Sequence, residues 1–217
     1  MNSKVYFDLD GTIIDVLRRY YTVLILYAKQ NGIDANQINF ENYKELKRQQ
    51  YKDHVIVRKL TGCEFNIKKY VNFKRKTLET ASMLQMDSII GDPKSNIMIL
   101  RELGFDIELL SLRRKKTNAF LQLKSLGLYH CFDKITFLHP RSNNAKKIYL
   151  EKKIKDTDII IGDGPLEMEC GKIFGVKTFF VNSGLYDYRL MKPGQYIVCD
   201  DYEEAVRIIA ERGDQSI

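Results

Sequence analysis

Short apolar runs recur along the chain, and each ends at glycine or at polar residues. Five of them have the length and composition of buried strands: residues 4–8, 107–110, 134–137, 158–162 and 177–181. Helical patterns lie between these runs, and such an alternation is typical of a parallel sheet covered by helices. The sequence therefore predicts an α/β fold.

The spacing of the predicted strands indicates an insertion. About a hundred residues separate the first strand from the second, whereas a crossover helix needs roughly a dozen. Within this stretch, helical patterns run near residues 16–30, 40–50, 53–61 and 66–84, with almost no strand pattern. We therefore predict a helical domain at residues 15–86, inserted into an α/β core formed by residues 1–14 and 87–217.

Two carboxylates emerge where the first predicted strand ends. Asp8 and Asp10 follow the apolar residues 5–7, and Gly11 then lets the chain turn before Thr12. The turn can aim the two acids differently, so one can attack a substrate while the other moves a proton. The alternative is an ordinary turn, since Asp, Gly and Thr commonly follow strands.

A second acidic strand end favours the chemical interpretation. The apolar run 159–161 ends in Gly162 and Asp163, and Glu167 follows four residues later. Ligands of open parallel sheets bind at the carboxyl ends of the strands, so Asp8 and Asp163 would share one cation if their strands are neighbours. Carboxylates of this kind suit a hard divalent ion such as Mg²⁺.

Asp92 is a competing acid, because it also follows a glycine at the end of an apolar run. Pro93 comes directly after it, and this order fits a helix N-cap followed by the first helical residue. We therefore interpret Asp92 as the cap of a helix that ends near Gly104, and Asp163 as the metal ligand.

Four separated motifs resemble those of the haloacid dehalogenase-like superfamily of hydrolases. Residues 8–12 match the first motif, Ser111 the second, Lys146 the third, and Asp163 with Glu167 the fourth. Lys147 is the neighbouring alternative for the third. The resemblance spans nearly the whole chain and implies a Rossmann-like core with strand order 3-2-1-4-5 and a small α-helical cap inserted after the first motif.

The resemblance also implies a mechanism. Asp8 would attack phosphorus to form an aspartyl-phosphate, and Asp10 would serve as acid and then as base. Mg²⁺ would be held by Asp8, the carbonyl oxygen of Asp10, and Asp163. Thr12, Ser111 and Lys146 would bind the phosphoryl group, with Glu167 supporting the metal water or the lysine. The expected activity is hydrolysis of a small-molecule phosphate monoester by a magnesium-dependent phosphatase.

Some alternatives within the resemblance stay open. Residues 112–114 read Leu-Arg-Arg, where the family usually has a small or amide residue, so the phosphate pocket differs there or gains a cation. Asp10 argues against a dehalogenase, because halide needs no proton donor. A phosphomutase resembling β-phosphoglucomutase shares every motif, and a noncatalytic phosphate-binding module is the remaining possibility.

The net charge of +7 is concentrated in the predicted insertion, where fourteen Lys and Arg face seven acids. A basic cap would attract an anionic ester, although solvated lysines are common on small helical domains. The sequence pI of about 9.1 leaves nucleic acid as a weaker possibility, since no known binding module is present.

The remaining composition is consistent with a cytoplasmic enzyme. The four cysteines are scattered without a paired motif, as expected for reduced thiols. No apolar stretch approaches the roughly 20 residues that span a bilayer. His54, His130 and His139 have no spacing typical of a metal pair or a catalytic triad. The sequence does not indicate the substrate or the oligomeric state.

Overall fold

All five predicted strands are present, and they lie in one parallel sheet. The structure is a computed structural model that describes residues 2–140, 144–191 and 194–213. The strands are β1 (Lys4–Phe7), β2 (Ile14–Asp15), β3 (Ser88–Ile89), β4 (Asp106–Leu112), β5 (Lys134–Leu138), β6 (Ile159–Gly162), β7 (Lys177–Val181) and β8 (Ile197–Cys199).

Ten α-helices accompany these strands in the described residues. They are α1 (Leu17–Gln30), α2 (Phe40–Arg48), α3 (Asp53–Thr61), α4 (Ile67–Thr77), α5 (Ala81–Leu84), α6 (Pro93–Glu102), α7 (Lys116–Ser125), α8 (Ala145–Glu151), α9 (Pro165–Phe174) and α10 (Tyr202–Gly213).

The sheet order is β5-β4-β1-β6-β7-β8, with every pairing parallel. The first five strands of this order are those predicted from the sequence, so the predicted order 3-2-1-4-5 is confirmed. The sixth strand, β8, was not predicted because it has only three residues and its Val198 is exposed. The sheet places β1 between β4 and β6, where its carboxyl end is flanked on both sides.

Alternating side chains of the central strands bury both faces of the sheet. Val5 and Phe7 pack with side chains of α6, α7 and α10 in the larger hydrophobic cluster. Tyr6 points the other way and packs with Leu150 of α8 and Cys170 of α9. Because strands of a parallel sheet are covered on both faces, they read as continuous apolar runs in the sequence.

The inserted helices have a hydrophobic cluster of their own. Leu24, Tyr27, Tyr43, Ile56 and Tyr70 belong to it, and they come from α1, α2, α3 and α4. The short strands β2 and β3 pair antiparallel at the two ends of this segment. Each has only two residues, too few to give a strand pattern in the sequence.

The predicted helix at 66–84 is two helices, and the reason is a tertiary contact. Glu79 lies between α4 and α5, and its carboxylate accepts hydrogen bonds from the backbone nitrogens of Arg114 and Lys115 at 2.9 and 2.7 Å. These groups precede α7, so Glu79 caps a different helix. The cap at Asp92 agrees with the prediction, since its side chain accepts from the Ser95 nitrogen at the start of α6.

None of the helices that the structure describes is both long enough and apolar enough to cross a bilayer.

Candidate active site

Three of the predicted site residues lie at the carboxyl ends of three neighbouring strands: Asp8 and Asp163 directly follow β1 and β6, and Ser111 is the second-last residue of β4. Phe7 of β1 is the register partner of Leu109 in β4 and of Ile161 in β6. Asp8 comes one residue after this level, whereas Ser111 and Asp163 come two residues after it. The sheet therefore brings these three positions, which lie far apart in the sequence, to one edge.

Lys146 joins two of the predicted acids. It lies in the first turn of α8 and is 4% exposed. Its Nζ donates to Asp8 Oδ1 at 2.5 Å and also to Glu167 Oε1. Lys147, the neighbouring alternative, is only partly buried. The structure thus places Lys146 rather than Lys147 against the predicted nucleophile.

The acids near Lys146 are crowded enough to change their ionisation. Burial raises the pKa of Asp8 to about 6, even though the Lys146 charge opposes the change. Burial also raises the pKa of Asp163 well above its usual value, and repulsion from Asp8 and Glu167 adds to this. Burial alone would lower the pKa of Lys146, but the charges of Asp8 and Glu167 raise it instead. One ammonium therefore faces three carboxyl groups.

Asp163 is held by the loop after β7 and lies in room that the glycine of the first motif leaves open. Its Oδ2 accepts a hydrogen bond from the Leu185 nitrogen at 2.7 Å. A Cβ on Gly11 would lie 2.3 Å from this oxygen, and the φ of Gly11 is +85°. Position 11 therefore requires glycine both for its left-handed backbone and for the room that Asp163 occupies.

The inserted helices contact the same loop through Arg48. Its guanidinium donates to the carbonyl oxygens of Gly184 and Asn182, both at 2.8 Å, and to Asn182 Oδ1 at 2.9 Å. The Leu185 nitrogen that binds Asp163 follows directly. Arg48 of α2 thus links the insertion to the backbone that positions a predicted metal ligand.

The side chain of Asp10 is directed toward two buried arginines. Its Oδ2 accepts from Arg19 Nη2 at 3.1 Å, and its Oδ1 accepts from Arg113 Nη2. Arg19 is 0% exposed and Arg113 is 1% exposed. The cation expected from the unusual residues after Ser111 is thus present at Arg113, and it binds Asp10.

Three further residues of the site were missed by sequence reasoning: Arg19, Asp87 and Gln122. Arg19 was counted among the charges of a solvated cap, and Asp87 and Gln122 carry no motif. Arg19 does stand at the start of an apolar helix, but that position alone does not distinguish a buried arginine from an exposed one. Their burial becomes visible only in the folded chain.

The predicted phosphate-binding hydroxyls are buried near these groups. Thr12 is 0% exposed, and its Oγ1 has no hydrogen-bond partner among the described residues. Ser111 is 2% exposed and lies on β4, two residues before Arg113. A buried hydroxyl without a partner is a group that a ligand oxygen can satisfy.

The donor atoms present fit Mg²⁺, although they are not a closed cage. In the part of the chain that the structure describes, no group of three or more His, Cys, Asp or Glu side chains is arranged to hold a metal ion. The Asp10 carboxylate faces arginines, which leaves two carboxylates, Asp8 and Asp163. Mg²⁺ commonly uses one or two carboxylates together with backbone, water and phosphate oxygens. Three carboxyl groups face the single ammonium group of Lys146, and this excess of negative charge also suits a bound cation.

The comparisons with known proteins agree with this fold. Residues 5–181 match the model of the haloacid dehalogenase-like hydrolase family. The chain therefore belongs to the haloacid dehalogenase-like hydrolases, as its motifs predicted. No curated protein sequence matches it.

Solved structures resemble the chain over nearly its whole length. A Clostridium acetobutylicum protein described as a phosphatase has a TM-score of 0.68 and 17% identity, over 97% of this chain and 99% of that one. YfnB of Bacillus subtilis, described as a hydrolase of this family and bound to magnesium, has a TM-score of 0.60 and 16% identity, over 96% and 98%. A Thermotoga maritima protein described as a β-phosphoglucomutase has a TM-score of 0.62 and 13% identity, over 96% and 99%. At these identities the likeness establishes the shared fold.

Proposed function

We propose that the chain is a magnesium-dependent phosphatase that hydrolyses a small-molecule phosphate monoester through an aspartyl-phosphate on Asp8. One observation carries this proposal: Asp8 lies buried at the end of β1, bonded to Lys146, with Asp163 at the end of the neighbouring strand β6. A phosphate ester repels an anionic nucleophile, so a carboxylate can attack it only where fixed positive charge surrounds both. Lys146 supplies part of that charge.

Asp8 would form the new bond to phosphorus while the bond from phosphorus to the ester oxygen breaks. A proton from Asp10 would pass to the departing oxygen. Water would then attack phosphorus, return its proton to Asp10, and release inorganic phosphate and free Asp8. Dividing the reaction in this way replaces one difficult displacement by two easier ones.

The site would bind Mg²⁺ through the carboxylates of Asp8 and Asp163 and the carbonyl oxygen of Asp10. When bound, the ion would neutralise the phosphoryl oxygens and orient them. Thr12 and Ser111 would donate hydroxyl hydrogen bonds to those oxygens, and Lys146 would stay between Asp8 and Glu167. The magnesium-bound structural neighbour supports this choice of ion.

We also infer that residues 15–86 are a cap over a core formed by residues 1–14 and 87–217. The separate hydrophobic cluster of α1 to α4 supports this division, and so does the small β2–β3 ribbon at its two ends. The substrate would then bind between the cap and the strand ends, where the fourteen basic residues of the cap attract an anion.

A phosphomutase is the second candidate, and the contact of Arg48 with the core favours it. Mutases must shield the phosphorylated aspartate from water, which requires a cap held against the core. Arg48 makes three hydrogen bonds of that kind. A structural neighbour described as a β-phosphoglucomutase has the same fold.

Phosphate release separates these functions. Wild type, Asp8→Asn and Asp163→Asn would be assayed with para-nitrophenyl phosphate and a panel of sugar phosphates, nucleotides and phosphoglycolate, with magnesium or with EDTA. A phosphatase releases phosphate only with magnesium and loses this activity in both variants. A mutase instead isomerises a sugar phosphate without net phosphate release, and a binding module does neither.

A further inference from the structure

We propose that Arg19, Asp87, Gln122 and Arg113 are positioning residues, which fix the Asp10 carboxylate for proton exchange with the leaving group. The proposal rests on the function proposed above. None of these four side chains belongs to the motifs that define the family resemblance, and two of them, Asp87 and Gln122, do not touch Asp10.

The five side chains form a closed ring. Starting from Asp10, Oδ2 accepts from Arg19 Nη2 at 3.1 Å. Arg19 Nε forms an ion pair with Asp87 Oδ1 at 3.1 Å. Gln122 Nε2 donates to Asp87 Oδ2 at 2.6 Å, and Gln122 Oε1 accepts from Arg113 Nη2 at 3.3 Å. Arg113 Nη2 also donates to Asp10 Oδ1, which closes the ring.

The ring is drawn from distant parts of the chain. Arg19 lies on α1, Gln122 lies on α7, and Arg113 comes directly after β4. The backbone nitrogen of Arg113 donates to the Leu138 carbonyl at 2.8 Å, which extends the sheet and fixes the arginine. Two positive and two negative side chains balance one another, so the ring adds no net charge to the interior.

Burying the ring costs stability, so its presence needs an explanation other than stability. Arg19 and Arg113 are almost fully buried, and Arg19 Nη1 and Arg113 Nε have no hydrogen-bond partner among the described residues. Each buried donor without a partner lowers the stability of the folded protein. Replacing a buried ion network by apolar side chains of similar volume is often neutral for stability or even stabilising. The arrangement is therefore better explained by what it does to Asp10.

The ring leaves Asp10 able to meet a substrate. Each carboxylate oxygen has two lone pairs, and the arginines occupy only one on each oxygen. The Asp10 side chain is 20% exposed, whereas both arginine side chains are at most 1% exposed. The open side of Asp10 therefore faces away from the ring. Holding a proton donor in one orientation lowers the entropy cost of the transfer.

The test uses two esters that differ in their need for a proton. Para-nitrophenolate leaves without protonation more readily than phenolate, and the two substrates have nearly the same shape. The ratio of kcat/KM for the two esters therefore reports proton donation. Assays at mildly alkaline pH keep Asp87 ionised, because burial raises its pKa to about 7.

The informative variants are Gln122→Met, which breaks the ring without touching Asp10, and Arg113→Lys, which keeps the charge but loses the planar fork. We expect kcat/KM for phenyl phosphate to fall about tenfold or more in both, with at most about a twofold fall for para-nitrophenyl phosphate. The control is Arg101→Lys, whose guanidinium pairs with Asp133 at 2.7 Å outside the ring and which leaves both values unchanged.

A double variant distinguishes positioning from folding. If Gln122 acts through Asp10, adding Gln122→Met to Asp10→Asn lowers kcat/KM for phenyl phosphate no further. Equal losses on both esters, or an additive loss in the double variant, would overturn the positioning role. Unchanged kinetics in Gln122→Met and Arg113→Lys would overturn it too. A wild type that turns over neither ester with magnesium contradicts the proposed function itself, and the positioning role falls with it.

Discussion

Lys146 Nζ lies 2.5 Å from Asp8 Oδ1, although 138 residues separate the two along the chain. Both side chains are buried, and the pKa of each is raised in the folded protein. The predicted nucleophile thus contacts Lys146, which is one of the thirty-five Lys and Arg residues in the chain. The proposed chemistry therefore depends on the charge of Lys146.

Lys146→Met is expected to lower kcat by about 10²–10³-fold, because one fixed charge at the developing phosphoryl transition state is lost. Lys147→Met is the matched control, since Lys147 is the adjacent, partly exposed lysine, and it should change kcat less than about twofold. Steady-state kinetics with para-nitrophenyl phosphate measure both. Equal effects in the two variants would contradict the role given to Lys146.

Gly11→Ala is expected to disturb Asp163 directly, because the new Cβ would lie 2.3 Å from Asp163 Oδ2. Gly32→Ala is the control: Gly32 has a φ of +70°, and a Cβ there meets nothing within 4 Å. A left-handed backbone alone costs an alanine about 1–2 kcal/mol. Gly11→Ala should therefore lose more unfolding free energy than Gly32→Ala and should also lose activity.

Urea unfolding and phosphate release together check this pair. Activity retained in Gly11→Ala at a level close to that of Gly32→Ala would mean that Asp163 tolerates displacement, which is incompatible with its proposed role as a metal ligand.

Asp53 makes the inserted helices sensitive to acid. Burial alone would raise the pKa of Asp53, but the ammonium groups of Lys74 and Lys47, at 2.6 and 2.9 Å, hold it well below its usual range. A carboxyl with a depressed folded pKa stabilises the protein above its unfolded pKa of about 4. That contribution is lost as the pH falls below this value.

Asp53→Asn should therefore lower the unfolding free energy by about 3–5 kcal/mol at neutral pH, the cost of breaking a buried ion pair. The difference from wild type should shrink as the pH falls from about 5 to about 2. Denaturant titrations across this range measure it, with the exposed Asp156→Asn as the control. A difference that does not vary with pH would refute the ion-pair explanation.

Arg48→Lys is expected to loosen the contact between the insertion and the loop that positions Asp163. A lysine keeps the charge but cannot make the three hydrogen bonds of the guanidinium. We expect kcat/KM to fall about three- to tenfold, since the weaker contact would hold the loop beside Asp163 less precisely. Arg58→Lys is the control, because Arg58 forms only an exposed pair with Glu64. Kinetics indistinguishable between the two variants would show that the Arg48 contact has no part in turnover.

The parts of the fold that follow from local pattern were predictable. The strands β1, β4, β5, β6 and β7 each contain a short run of mainly apolar residues, and the Asp92 cap is encoded in adjacent residues. The short strands β2, β3 and β8 were not predictable, since two or three residues give no periodicity. The break after α4 could not be predicted from the sequence either, because Glu79 there caps α7. The backbone nitrogen that it binds belongs to Arg114, 35 residues further along the chain.

The site residues also fall into two groups, those that sequence motifs predict and those that only the folded structure reveals. Asp8, Lys146, Asp163 and Glu167 could be proposed from motifs, and the structure brings Asp8, Lys146 and Glu167 into contact. The ring around Asp10 could not be proposed, because a buried arginine and a solvated one look alike in a helical pattern. Arg113 and Asp10 are 103 residues apart, so only the folded sheet reveals their pairing.

The proposed mechanism requires that Asp8 becomes phosphorylated during turnover. Its most direct test is to quench the protein during turnover of para-nitrophenyl phosphate with magnesium, reduce any acyl phosphate with borohydride, and locate the modified residue by peptide mass spectrometry. Asp8 is expected to be converted to homoserine, and EDTA is expected to prevent the change. Turnover with the label on another residue, or undiminished turnover by Asp8→Asn, would contradict the mechanism.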